Sequence, residues 1–251
     1  MNLEPLGLFS LFFIIFISAL AQSTVGFGYA LFAAPLLLSI GLPLPHVIVL
    51  VSSCSFFQSS IGAWKLRDEV PWKITYISSL VRVAFLVIGI LLLKELVTFK
   101  KEQIRMVIGV VICVIVIVQN GWKPKKTSSM HWGWGGLAFV LSGIMAGVVG
   151  MGGPALVLWC LAQDWESKKT RAFLFSAFAT SIPVQIVFFN FAFGSEVLKS
   201  VGMSIAMIPL ILLGSYIGIP LGNRMDKERL KFIAYTILLL LGVGSTVPAF
   251  F

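Results

Sequence analysis

The residues that could do chemistry in this chain are a few glycines and polar side chains set inside long uncharged apolar runs. Val25-Gly26-Phe27-Gly28 interrupts one run, and Val149-Gly150-Met151-Gly152-Gly153-Pro154 interrupts another, 124 residues later. A helix that starts afresh at such a break aims free backbone N–H groups and its positive dipole end at the space in front of it, which is a general anion site. Gln22, Ser23 and Thr24 precede Gly26 and Gly28 and add neutral donors; Gly150, Gly152 and Gly153 offer almost pure backbone. Pro154 suits the first turn of a new helix, where an N–H is not needed. Gly143 and Gly147 fit a different role, the close packing of helices through small residues.

Arg82 is the one charge deep in an apolar run, about nine residues from either end. An arginine there costs at least ~2.5 kcal/mol, so it is expected to face a cavity and pair with an anion. The alternative is a packing role, with the guanidinium snorkelling or donating to carbonyls at a helix break. Gln58 and Gln185 form a second polar set, each on one helical face with a serine, Ser55 and Ser181. They line a pathway or simply bond neighbouring helices together.

Other chemistry is missing. All ten carboxylates fall in loops or at the ends of apolar runs, so no buried acid is available for a proton relay. There is no nucleophile triad, zinc motif or phosphate loop, which argues against an enzyme, a metal site or a bound cofactor. Coupling to a proton or sodium ion would have to run through backbone or hydroxyl ligands, or through the substrate's own protonation. His46 and His131 sit at the edges of apolar runs, where an interfacial role is expected.

The elements that hold these residues must be membrane helices. The chain is 58% hydrophobic and 12% charged over 251 residues, against ~25% charged in a soluble domain. Eight apolar stretches cover 6–40, 45–63, 74–93, 104–119, 132–162, 172–193, 197–221 and 230–250. Solid apolar blocks, several of them ~20 residues long, indicate an all-α polytopic protein in a lipid bilayer and not an alternating β-barrel. The net charge of +9 lies in short loops, so it indicates membrane orientation and not nucleic acid. Cys54, Cys113 and Cys160 read as small buried apolar residues, and Trp64, Trp72, Trp132 and Trp134 as interface anchors. Ala19-Leu20-Ala21 resembles a signal cleavage site, but no basic segment precedes it.

The chain repeats itself. Gly26 and Gly28 match Gly150 and Gly152, Gln58 matches Gln185, Gly89 matches Gly214, and Lys101-Glu102 matches Lys227-Glu228. Arg82 has Met207 at its matching position, so the charge breaks the symmetry. The expected organisation is repeat 1 over 1–119, a basic linker over 120–131 and repeat 2 over 132–251, in one membrane domain. The first and fifth stretches are too long for simple spans: residues 6–40 as one straight helix would run roughly 52 Å against a ~30 Å core. If each broken stretch crosses once, the halves are parallel four-plus-four bundles, and loop Lys and Arg split 11 to 7. If each enters and returns, the halves are inverted repeats and the split is 13 to 5, which the positive-inside rule favours. Both place the termini outside.

Gly150-Met151-Gly152-Gly153-Pro154, its weaker copy Gly26-Phe27-Gly28 with Pro35 downstream, Thr170-Arg171-Ala172 and the two-fold repeat together resemble the TauE/SafE family of sulfite exporters over residues 6–250. The resemblance implies transport of sulfite, organosulfonates or related sulfur anions across a bacterial-type inner membrane, with Gly26, Gly28, Gly150, Gly152 and Gly153 at the substrate. Tyr29 and Ala30 depart from the glycine-rich family pattern. The resulting expectation is a secondary carrier of a small anion, with Phe27, Tyr29 and Trp159 shaping the site. The alternative is a passive channel or facilitator. The anion, the direction, the coupling ion and any homo-oligomer are left open by the sequence.

Overall fold

The computed structural model describes residues 5–25, 28–121, 132–224 and 236. Gly26, Phe27, the linker lysines Lys123, Lys125 and Lys126, and all but one residue of the eighth apolar stretch lie outside the described residues. The described chain is all-helical: α1 (Pro5–Val25), α2 (Tyr29–Ser39), α3 (Leu44–Lys65), α4 (Trp72–Leu96), α5 (Lys101–Gly121), α6 (Trp132–Val149), α7 (Gly153–Leu161), α8 (Ser167–Phe193), α9 (Lys199–Ala206) and α10 (Ile208–Arg224). Four of them, α1, α3, α4 and α8, are long and apolar enough to cross a membrane, and Ser195–Ala206 with Ile208–Gly218, bent by 53°, form either a broken span or a re-entrant loop. Leu80, Ile117 and Phe191 are exposed on the outer surface, an arrangement that needs lipid as solvent.

The bend between α9 and α10 was not expected in the seventh apolar stretch. Its cause is Pro209, two residues past Met207. The ring carries no N–H and would collide with the carbonyl of Ile205, four residues back, so the helix cannot pass through straight. Met207 bridges the bend, its N–H bonding to Met203 O at 3.1 Å while its carbonyl accepts from Ile211 N at 3.0 Å.

The first long stretch stops at Val25 and resumes at Tyr29, and the fifth stops at Val149 and resumes at Gly153. Gly28 (φ 104°) and Gly150 (φ 72°) take left-handed backbone that L side chains rarely adopt, so glycine is what permits the turn. Past Val149 the chain doubles back: Met151 N–H bonds to Met145 O at 3.3 Å, and Ser142 Oγ donates to Gly152 O at 2.6 Å. Further along, Trp159 meets Gly135 and Phe139, with ring centroids 5.2 Å apart in the latter pair. Later residues of α7 thus meet earlier residues of α6, and α7 runs back along it. The first break also folds back, because the Tyr29 hydroxyl reaches Ile15 O at 3.3 Å, well below the end of α1.

Helices of the first half pack on helices of the second. α1 lies against α10, α4 against α6, and α3 against α8. The first two pairs touch backbone to backbone. A Cβ on Gly89 would lie 2.8 Å from Gly147 Cα, one on Gly147 2.5 Å from Leu86 O, and one on Gly218 2.7 Å from Leu20 O. Gly143 and Gly147 thus serve packing, by letting α4 and α6 approach this closely. Cys54 and Cys160 are buried and Cys113 is half-buried, all unpaired, and no cluster of metal-ligating side chains occurs among the described residues.

Candidate functional site

The two helix starts meet at one small cavity of about 50 Å³. Gly28, Tyr29, Ala30 and Leu31 line it from α2, and Gly150 to Pro154 line it from α7 and the turn before it. Arg82 enters from α4, Ser52 and Ser55 from α3, Phe178 and Gln185 from α8, and Gln22 from α1. Residues spread over more than 160 positions of sequence are brought to one place because both breaks fold back toward the same central α3–α8 pair.

Arg82 is the charge of this site and is 3% exposed. Its Nη1 donates to Ala177 O at 2.9 Å and Ser181 Oγ at 2.7 Å, both on α8. The guanidinium carbon lies 5.1 Å from the centre of the Phe178 ring. Its Nε is buried with no partner, and no carboxylate pairs with it among the described residues. A polar ladder aligns α4 with α8 below it: Thr75 to Ser176 at 3.1 Å and Ser79 to Thr180 at 2.7 Å. A buried cation is costly unless its donors are satisfied and a counter-charge is near, and here the donors are only partly satisfied.

Gln22 has a defined job. Its Oε1 accepts from Tyr29 N–H at 3.2 Å, taking up one of the free donors at the start of α2, while its Nε2 sits 3.5 Å from Ser55 Oγ. The start of α7 has no side-chain cap. Gly152 is required there because a Cβ would lie 2.6 Å from Ser142 O, whereas a Cβ on Gly153 would meet Phe178 only at an ordinary contact distance of 3.4 Å.

The two glutamines have parted company. Gln185 lines the cavity, donating to Ser52 Oγ at 3.1 Å and Ala146 O at 3.2 Å. Gln58 lies off it and ties α3 to α1 and α10: its Nε2 lies within hydrogen-bond distance of Ala19 O and Ser215 Oγ, at 2.9 Å each, and of Ser23 Oγ, with two N–H groups to share among the three. Ser23 and Thr24 also sit away from the cavity. The Ser23 carbonyl accepts from Arg171 at 3.3 Å, and the Thr24 hydroxyl bonds to Leu20 O. Trp159 is spent on an aromatic cluster with Phe139, Trp165 and Phe173. Replacing Gln58 with leucine is therefore expected to lower thermal stability by about 1–2 kcal/mol while leaving any anion response unchanged. Gln185→Leu should weaken the response; a melting-curve titration of both variants checks the pair.

Sequence reasoning missed Phe178 and Ile182 as lining residues. The available signal was their spacing, since 178, 182 and 185 recur at i, i+4 and i+7 on one face of α8. Among 21 phenylalanines, nothing else marks this one.

A family model described as Sulfite exporter TauE/SafE matches residues 11–245. A probable sulfite/organosulfonate exporter TauE from Cupriavidus necator is 20% identical over 230 residues, covering 91% of this chain and 89% of that one. No solved structure matches the chain. With a family match over nearly its whole length, and helices long and apolar enough to span a bilayer, this integral membrane protein belongs to the TauE/SafE sulfite exporter family.

Proposed function

We propose that the chain is a secondary carrier for a small sulfur-containing anion, sulfite or an organosulfonate, which binds where the starts of α2 and α7 face Arg82. One observation carries this reading. A buried guanidinium with an unpartnered Nε lines the same cavity as two helix starts folded out of otherwise apolar runs. A sulfite or sulfonate head offers three oxygens, enough to accept from Arg82 and from several backbone N–H groups together. Gly28, Gly150, Gly152, Gly153 and Gln22 shape the space around that head, and Gln185, whose amide bonds to Ser52 and Ala146, forms part of its wall. The function of the relative, read from its name, agrees with this substrate class.

The fold-back at both breaks supports inverted repeats over parallel ones, with both termini outside a bacterial-type inner membrane. The pairing of α1 with α10 and of α4 with α6 supports the same two-fold arrangement. Alternating access then comes from one repeat rocking against the other around the shared cavity. The linker lies inside in this arrangement. A single cysteine at Ser128 should resist an impermeant thiol reagent on intact cells, and labelling from outside would overturn the inverted topology.

A passive channel is the second reading, favoured by the absence of acidic side chains among the buried described residues. Flux into proteoliposomes separates the two. A carrier should accumulate sulfite against its gradient when a proton or sodium gradient is imposed, whereas strictly downhill flux under every imposed gradient would establish the channel.

A further inference from the structure

We propose that Phe178 sets the upper size of the anion, reserving the cavity for a bare three-oxygen head and excluding an organic tail. The proposal rests on the anion reading of the site and adds the residue that decides between sulfite and larger sulfonates.

The space is small. A water needs roughly 10–15 Å³ of cavity, so about 50 Å³ holds a group of only a few heavy atoms. That suits sulfite and leaves no room for the carbon chain of an aminoalkyl or aryl sulfonate. The walls differ in what they can yield. On the α7 side the wall is backbone, pinned by the bond from Ser142 Oγ to Gly152 O and by the left-handed turn at Gly150. On the α4 side it is Arg82, held by two bonds to α8. Phe178 fills the gap between them. Its ring centre lies 5.1 Å from the Arg82 guanidinium carbon, and its Cζ lies 3.4 Å from where a Cβ on Gly153 would stand. It has no polar atom to lose, so its removal enlarges the cavity without leaving an unsatisfied group.

The chemistry points the same way. Arg82 and the helix starts recognise the oxygens that sulfite and every sulfonate share, so they cannot tell these anions apart. Discrimination has to come from what lies beyond the oxygens, and an apolar ring rejects by volume. Rejection of this kind is worth about 10–200-fold per unwelcome group in an apolar pocket.

The test uses the purified full-length protein in detergent, with thermal stabilisation titrated against sulfite, methanesulfonate, taurine and benzenesulfonate. The unaltered protein should prefer sulfite to taurine and benzenesulfonate by about tenfold or more. Phe178→Ala should bring the larger anions to within about threefold of sulfite, and Phe178→Leu, which retains apolar packing, should shift the ratio part of the way. Gly153→Ala, which adds a methyl at ordinary contact distance from the ring, should weaken sulfite and methanesulfonate alike. An unchanged preference in both folded Phe178 variants, or equal binding of sulfite and benzenesulfonate by the unaltered protein, would overturn the role of Phe178 and leave the anion site standing. No response to any of the four anions in the unaltered protein would remove the anion site itself.

Discussion

Replacing Arg82 with methionine is expected to abolish the response to anion while leaving the empty protein as stable as before, or more so. The two effects have opposite signs for one reason. Arg82 is buried at membrane depth without a carboxylate, so its charge is an expense when the cavity is empty. Exchanging a buried charged group for an apolar one of similar length is often neutral or stabilising. Ser181 loses little, because its hydroxyl also bonds to Ala177 O at 2.6 Å. With sulfite present the balance reverses: removing one partner from a buried, hydrogen-bonded charge pair costs about 2–5 kcal/mol, or about 30-fold in affinity at the low end. Arg82→Lys should recover only part of the loss, since an ammonium keeps the charge but not the planar fork. Melting curves with and without sulfite read both effects. An undiminished sulfite response in the methionine variant would return Arg82 to a packing role against α8.

The second large effect is expected at Gly89, far from any ligand atom. Gly89→Ala places a methyl 2.8 Å from Gly147 Cα, where the obstacle is backbone and cannot rotate away. α4 and α6 must separate, at a cost of about 1–3 kcal/mol for overpacking. In a membrane, where close packing is the main attraction between helices, no hydrophobic gain offsets it. Arg82 sits two turns back on the same helix, so sulfite affinity should fall with the melting temperature. Gly202→Ala on α9 supplies the contrast: nothing lies within 4 Å of the new methyl, and a helical alanine in place of glycine should gain about 0.5–1 kcal/mol. Indistinguishable melting temperatures for the two variants would show that α4 and α6 are not in backbone contact.

What could be read from the sequence, and what could not, follows from the cost of each feature in lipid. The glycine breaks and Arg82 stood out because a broken backbone and an unpaired charge are expensive in an apolar run, so few explanations survive. The all-helical membrane class was legible for the same reason. Phe178 was not, because an aromatic ring in an apolar run costs nothing and resembles twenty others. The divergence of Gln58 from Gln185 was also hidden: both hold the same register in their half, and only the folded packing brings Gln58 to Ala19 and Ser215 and Gln185 to Ser52 and the cavity. Ser23 and Thr24 looked like donors by proximity to the break. Both belong to the last turn of α1 but bond away from the cavity, to Arg171 and Leu20, and only Gln22 lines it. The bend at Met207 was legible in principle, since Pro209 is visible in the sequence, but the run of apolar residues through it masks the interruption.

The interlocked halves also bear on how the protein is made. α1 leaves the ribosome long before α10, yet the surface it packs against belongs to α10, which begins at Ile208. At about 5–20 residues per second, α1 waits roughly 10–40 s in the bilayer with Gly214 and Gly218 not yet synthesised and the Gln58 amide lacking its Ser215 acceptor. The first half is thus inserted long before it is assembled, and its polar groups need interim partners in lipid or in the insertion machinery. Cutting the chain at the linker should yield two fragments that survive only when made together, each serving as the other's chaperone.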